Sequence, residues 1–399
     1  MRIPFGAISI TRKSKELIRG ILGSNRVSSG KYVRELEKRF AKIIGTKEAA
    51  AVSSGTDAVC LALAVLYDFG AKRNDDIITS ALSFVATGNA ILQAGFNPIF
   101  VDIDKKTLNI DPLQIERAIT SKTKAIMPVH LMGKPAEMDT IKSIAKKYNL
   151  FVIEDAAEAY GAVYKGKNIG TLGDMAAFSL YVAHIITSVE GGMVVTQRPD
   201  FAGILRSLRS HGRACKCESC ILNISSGFCE KRFKYGKNRD IRFVFERIGF
   251  SSKMNELEAA IGLGNMEIYS QILKKRRKNL LYMIENFKEF TSFLYTTEEA
   301  PYEKIGPHAL PIILGDGVSF TRDELVYFLE ERGIDTRNLF LSMPTQCAGF
   351  KYLGHKLGSF PNAEYIGENG LHIAVHQDLG KEELDYIISA LRDFLIKQH

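Results

Sequence analysis

Long apolar segments are missing from this 399-residue chain. The longest uninterrupted one, Ala58–Tyr67, has 10 residues, well short of the roughly 18 that a spanning helix needs. No membrane partner is expected. A secretory leader is missing as well: Met1-Arg-Ile-Pro-Phe-Gly carries no apolar core, so the expected location is the cytoplasm. Internal repeats and low-complexity linkers are also absent, which argues against solenoids and disordered arrays. Cysteine is scarce, at six residues, and in a cytoplasmic chain a disulfide framework is not expected. What is present is the balance of a soluble globular protein with a sizeable core: 46% hydrophobic and 25% charged residues. Lys+Arg 53 against Asp+Glu 45 leaves a net charge of +8. That would suit nucleic acid or an acidic protein, yet a pyrophosphate substrate needs only a few of those charges. The basic run Lys274–Lys278 reads as a solvated helix face, with no nucleic-acid partner.

From about residue 31 to 200, helical patterns alternate with short β-branched runs. Lys31–Ile44 has helical spacing, Thr56–Tyr67 reads as a buried helix, and Ala86–Ala94 and Glu137–Tyr148 as further helices. Ala49–Val52, Asp76–Thr79, Asn97–Val101, Ala125–Val129, Phe151–Ile153, Ala176–Leu180 and Gly192–Thr196 read as strands. Such alternation predicts an α/β fold, a mainly parallel sheet with helices on both faces. The pattern breaks at about 205–250, where Cys, Lys, Arg, Gly and Ser dominate. It resumes with a helix over Asn255–Arg277. The expected organisation is a large domain over 1–270, including the cysteine-bearing loop 205–250, and a smaller C-terminal α/β domain over 271–399. The strands expected in the latter are His308–Leu314 and Leu371–Ala374, with a closing helix over Lys381–Lys397.

Three stretches carry chemistry. Ser53-Ser54-Gly55-Thr56 follows a strand and opens a helix, where backbone N–H groups and hydroxyls can meet an anion; an ordinary Ser/Thr cap is the alternative. Glu154-Asp155-Ala156-Ala157 ends an apolar strand, where α/β sheets bind ligands. Asp155 there could hold a protonated ring nitrogen, or merely cap the next helix. Phe178-Ser179-Leu180-Tyr181-Val182-Ala183-His184, followed by Val189-Glu190-Gly191-Gly192, delivers a serine from a strand and a histidine from an irregular segment.

Together with Ser83-Phe84-Val85-Ala86-Thr87 and Ile248-Gly249-Phe250 to Ala259-Ala260-Ile261-Gly262, these motifs stand in the order found in the sugar aminotransferases. The chain resembles that DegT/DnrJ/EryC1/StrS group of pyridoxal-phosphate enzymes from about residue 2 to its end. The resemblance implies an aspartate-aminotransferase-like fold, that of the fold type I PLP enzymes. It further implies PLP or its aminated form PMP as cofactor, and a homodimer whose interface builds both sites. In those aminotransferases a lysine five residues after the serine forms the Schiff base. Here His184 stands there, and imidazole can instead move a proton near neutral pH. Histidine at this position marks the 3-dehydratases of nucleotide-linked 4-keto-6-deoxysugars. Ala183-His184-Ile185-Ile186-Thr187, Thr336-Arg337-Asn338-Leu339-Phe340 and Thr345-Gln346 resemble segments of that subgroup.

The implied reaction is C3 deoxygenation of a nucleotide-diphosphate sugar. His184 would act as base, Phe84 stack on the cofactor and Asp155 hold its ring nitrogen. Gly55, Thr56 and Ser179 would hold its phosphate, and Glu158 touch its 3-oxygen. Ser251 replaces an asparagine that in relatives reaches the partner subunit's cofactor phosphate. One form of the subgroup needs only the cofactor and an amino-group donor; the other adds a [2Fe-2S] cluster fed by a reductase.

Cys215, Cys217, Cys220 and Cys229 fall within 15 residues, where uniform scatter would put roughly 0.2 of a cysteine. Beginning 31 residues after His184, they resemble the iron–sulfur form, as does Glu230-Lys231-Arg232-Phe233. The upstream ligand of that form is replaced by Ala157, so all four ligands are expected within 215–229, with Gly227 letting the loop fold back. Four thiolates suit [2Fe-2S], and structural zinc is the alternative. Arg206, Arg209, Arg213, Lys216, Lys231, Arg232, Lys234, Lys237 and Arg239 crowd this loop. They are expected to dock an acidic electron-donor protein, a ferredoxin or a flavin/iron–sulfur reductase.

Overall fold

The computed structural model describes residues 1–398 apart from 219, 225–227 and 237. Seven short strands form the main sheet: β1 (Glu48–Val52), β2 (Asp76–Ser80), β3 (Asn97–Val101), β4 (Thr123–Met127), β5 (Phe151–Asp155), β6 (Met175–Ser179) and β7 (Gly192–Thr196). Their spatial order is β1-β7-β6-β5-β4-β2-β3. Strands β6, β5, β4, β2 and β3 run parallel, while β7 is antiparallel to both of its neighbours. Alternate residues feed two cores: Ala176, Phe178 and Met193 pack on one face, Met175, Ala177 and Val194 on the other. A sheet covered on both faces needs such near-continuous apolar strands, which is why the short runs were legible. The expected strand Ala125–Val129 sits two residues earlier. Val129 instead forms an isolated bridge to Asp155.

Helix α1 (Lys31–Ile44) covers one face with Val33, Leu36 and Phe40. Helix α2 (Gly55–Ala64) starts where β1 ends, and every residue from Ala58 onward is buried. The long helix α3 (Glu256–Phe287) is capped by Asn255, whose side chain accepts from the Leu257 and Glu258 N–H groups while Glu258 closes a capping box. It runs ten residues beyond the expected end at Arg277. Leu280, Met283 and Phe287 pack there into a separate core, so apolar spacing outlasts the basic run. A domain boundary at 270 would fall inside this helix. Arg276, read as part of a solvated face, is buried. Its Nε donates to Gln377 at 2.9 Å and its Nη1 to the His308 carbonyl at 3.3 Å.

That second core lies on an antiparallel sheet of β8 (Leu294–Tyr295), β9 (Ala309–Leu314), β10 (Thr336–Asn338) and β11 (Gly370–Ala374), in the order β8-β9-β11-β10. Helix α4 (Lys381–Ile396) packs on it through Leu384, Ile387 and Leu391. Among the described residues no helix is long and apolar enough to cross a membrane.

Candidate active site

The C-terminal ends of β5 and β6, the start of α2 and the edge of the second sheet enclose a cleft of about 620 Å³. Parallel strands expose their last residues at this end, which places Asp155 and Ser179 in the cleft. Helix α2 contributes its first N–H groups at Gly55 and Thr56, the unsatisfied donors of any helix start. Ser54 caps it by accepting from the Asp57 N–H at 3.0 Å. Asp57 in turn accepts from the hydroxyls of Ser53 (2.6 Å), Ser54 (3.0 Å) and Ser252 (2.9 Å). Gly55 is required by space: a Cβ there would lie 2.6 Å from the Ser179 Cβ and 2.8 Å from its Oγ. The missing side chain lets the helix start and the strand end share one anion-sized cradle.

Asp155 is buried. Its Oδ2 accepts from the Thr87 hydroxyl at 2.9 Å, and Ser83 bonds to Thr87 at 2.7 Å. Among the described residues it makes no salt bridge, and burial pushes its carboxyl up from the ordinary range against the pull of Thr87, the Ala157 N–H and the His130 ring. A buried carboxylate without a cation is costly; a protonated ring nitrogen in the cleft would supply what is missing. Phe84 stands 57% exposed over this site, with the Phe340 ring 5.5 Å away, a surface on which a planar ring can stack. Cradle, acid and exposed aromatic ring thus fit a phosphorylated pyridine cofactor.

His184 lies on the cleft wall with Nδ1 out of solvent and unpartnered. Desolvation, with the nearby Arg276 guanidinium, lowers its pKa to about 4, so the ring is neutral at pH 7. Among the described residues, no lysine lines the cleft.

Residues 9–392 match the DegT/DnrJ/EryC1/StrS aminotransferase family. The chain belongs to that family. It is 34% identical over 400 residues to GDP-4-keto-6-deoxy-D-mannose 3-dehydratase of Yersinia pseudotuberculosis, covering 98% of each chain. It is 33% identical over 383 residues to dTDP-4-dehydro-2,6-dideoxy-D-glucose 3-dehydratase of Saccharopolyspora spinosa, covering 93% of this chain and 82% of that one. The structure of E. coli GDP-4-keto-6-deoxy-D-mannose-3-dehydratase with bound hydrated PLP superimposes with a TM-score of 0.85 at 29% identity, over 98% of this chain and 99% of that one. The fold is that of the fold type I PLP enzymes.

Within this family fold, Gly55, Thr56, Phe84, Asp155, Glu158, Ser179 and His184 line the cleft together. Ser251 does not line it; it is exposed and bridges Ser210 at the base of the cysteine loop. Several lining residues were not singled out from sequence as functional: Phe5, Tyr181, His308 and His372 among them. The signal for His308 was a Pro-His pair opening an apolar strand, and for His372 a lone polar residue inside one. Neither is distinctive without the fold that brings the second sheet to the cleft.

The cysteine loop departs from expectation. Among the described residues no group of three or more His, Cys, Asp or Glu side chains is placed to hold a metal ion. Cys215 and Cys217 interact with each other, and the Cys217 Sγ accepts from Lys231 Nζ at 3.8 Å. Cys220 is exposed, and both Cys220 and Cys229 feel the Arg242 charge. The thiols thus face basic side chains instead of converging, and as placed they do not fit a [2Fe-2S] cluster. Gly227 and Lys237 lie outside the described residues.

The basic face also shrinks. Arg206 and Arg209 are buried, paired with Glu48 and Glu37. Arg232 pairs with Asp240 and Lys216 with Glu246. Ion pairing inside the fold therefore takes up much of the positive charge assigned to docking.

Proposed function

We propose that the chain is a PLP/PMP-dependent 3-dehydratase that removes the C3 hydroxyl of a nucleotide-linked 4-keto-6-deoxyhexose. The observation that carries this reading is the cleft itself: it has the acid, the cradle and the stacking ring of the cofactor site, but a neutral histidine in place of a lysine. Bound as its amine, the cofactor supplies the nucleophile that captures the 4-ketone and an electron reservoir for the change at C3. Asp155 holds the ring nitrogen. Gly55, Thr56 and Ser179 hold the phosphate, Phe84 covers one ring face, and Glu158 approaches the 3-oxygen. His184, a neutral imidazole on the cleft lining, takes a proton inside the cleft, a contribution of about 10²–10⁴-fold for a positioned base.

The chain acts as a homodimer in this reading. Phe243, Phe245 and Ile248 are 68%, 54% and 80% exposed, an apolar surface that a second copy would cover. The same segment would carry Ser251 towards the partner's cofactor phosphate. Reductive chemistry through a [2Fe-2S] cluster and an electron-donor protein rests on the cysteine loop alone. The unconverged thiols support the cluster-free form, recharged by an amino-group donor. Stoichiometric iron and acid-labile sulfide in anaerobically purified protein would reverse that choice.

The test of the activity is an anaerobic assay of the holoenzyme against CDP-, GDP- and dTDP-linked 4-keto-6-deoxyhexoses, read by mass spectrometry. A net loss of one oxygen supports the dehydratase. Conversion of the ketone to an amine marks a transaminase and refutes it.

A further inference from the structure

His308 immediately precedes β9 at the junction with the second sheet, and its ring lies beside that of His184 on the cleft lining, ring centroids 5.2 Å apart and tilted by 34°. Its main chain is clamped. The N–H donates to the Gly306 carbonyl at 2.8 Å, and the carbonyl accepts from Arg276 at 3.3 Å. Its ring is not: Nδ1 is buried and without a partner. On the other side, Nε2 lies 3.6 Å from Oε1 of Glu158. Glu158 Oε2 accepts the Met132 N–H at 2.7 Å, which leaves Oε1 as the oxygen turned to His308. A catalytic hydrogen bond in a ligand-free site is often longer than in the working complex. Three titratable side chains thus stand in a row along one wall, and the cofactor site gives no work to the middle one.

We propose that Glu158, His308 and His184 form a proton relay in which Glu158 and His308 supply the acid for the expelled 3-hydroxyl, leaving His184 to act as base. The inference rests on the dehydratase reading of the cleft. In the relay, the C3–O bond breaks with its electron pair on oxygen, and that oxygen takes the proton from His308 Nδ1 to leave as water. Glu158 Oε1 refills His308 at Nε2. The proton that His184 removed from carbon then passes back through His308 to Glu158, so the array ends as it began and no external acid is consumed.

The charges around the row agree with this direction. Glu158, desolvated and facing Asp155, has its pKa raised to about 8 and holds a proton at pH 7. His308 faces Glu158, His184, His372 and Arg276; desolvation first, then the cost of a second positive charge beside these two rings and the guanidinium, keeps it neutral. A protonated Oε1 donating to Nε2 fixes the His308 proton on Nδ1, the nitrogen that has no hydrogen-bond partner among the described residues.

The test uses ¹⁵N-histidine spectra of the cofactor-free protein together with kinetics of the holoenzyme, in the parent and in Glu158→Gln and His308→Gln. At pH 7 the parent should show His308 as the Nδ1–H tautomer. Glu158→Gln, near-isosteric and able to keep both contacts, should retain that tautomer yet lose about 10²-fold or more in kcat with little change in KM. Its pH profile should also lose the fall near pH 8. His308→Gln should match it in kcat, while washout of the cofactor's C4′ hydrogen, the work of His184, continues. His308 found as Nε2–H in the parent, or Glu158→Gln at full rate with an unchanged profile, overturns the relay. A parent that deoxygenates no nucleotide-linked 4-keto sugar overturns the dehydratase reading, and the relay with it.

Discussion

Asp155→Asn should move stability and cofactor binding in opposite directions. In the cofactor-free protein the carboxylate is buried and receives only the Thr87 hydroxyl at 2.9 Å and the Ala157 N–H at 3.3 Å. Desolvation is the largest influence on it and raises its pKa, so the fold penalises the ionised form. The sign follows: the native state binds this proton more readily than the unfolded chain, and the group's stability contribution falls as pH rises through the window between the two pKa values. An asparagine carries no charge, and its amide can serve both neighbours, since the Thr87 oxygen can also accept. Relief of one such site is worth about 0.5–2 kcal/mol. With the cofactor bound the account reverses. A charge-assisted bond to a ring N–H⁺ is worth about 1.5–3 kcal/mol, so affinity for PLP should drop by about 10- to 150-fold. Urea denaturation of the cofactor-free proteins at pH 7, repeated at falling pH, reads the first effect; absorbance titration with PLP reads the second. The variant should be the more stable protein at pH 7, by a margin that shrinks as acid protonates the parent. A less stable variant, or unchanged PLP affinity, would falsify the assignment of Asp155 as the acid waiting for a cation.

Three further outcomes are expected. Gly55→Ala drives a methyl to within 2.6 Å of Ser179; overpacking of this kind costs about 1–3 kcal/mol, and phosphate-bearing ligands should bind more weakly than to the parent by titration. His184→Lys should allow borohydride to fix the cofactor on residue 184, found by peptide mapping, with the parent giving no labelled peptide; cofactor trapped on a parent lysine would contradict the lysine-free cleft. The buried histidines should each cost stability in acid because desolvation holds His184 down to about 4 and His372 to about 3. The unfolded chain takes up those protons near pH 6.5 and the folded chain does not. Against a His372→Gln variant, in which the opposite contribution of the raised Glu158 carboxyl cancels, the parent should therefore lose about 2 kcal/mol of stability between pH 6.5 and 4.5 in denaturant titrations, and a pH-independent difference would count against the burial of that ring.

The cofactor half of the cleft was legible because each of its residues is fixed by its immediate neighbours in sequence. Asp155 and Ser179 are the last residues of apolar strands, and a parallel sheet must present strand ends at one edge. Gly55 and Thr56 begin a helix straight after a strand, which puts their N–H groups at the same edge. The opposite wall had no such local signature. Arg337 and His372 belong to two separate strands of the second sheet and His308 immediately precedes a third, and they meet the cleft only because α3 carries that sheet across. The same logic explains the cysteine loop. Four thiols within 15 residues form a strong local pattern, but a metal site needs convergence in space. Spacing does not encode that convergence, and among the described residues no three such side chains are placed to share a metal ion. Arg206 and Arg209 make the point from the other side: their partners Glu48 and Glu37 lie about 160 and 170 residues upstream, so two cations read as a docking face are internal braces between α1, β1 and the helix after β7. In this fold, residues that act through their own backbone can be found from sequence. Residues that act through a distant partner have to be found in the structure.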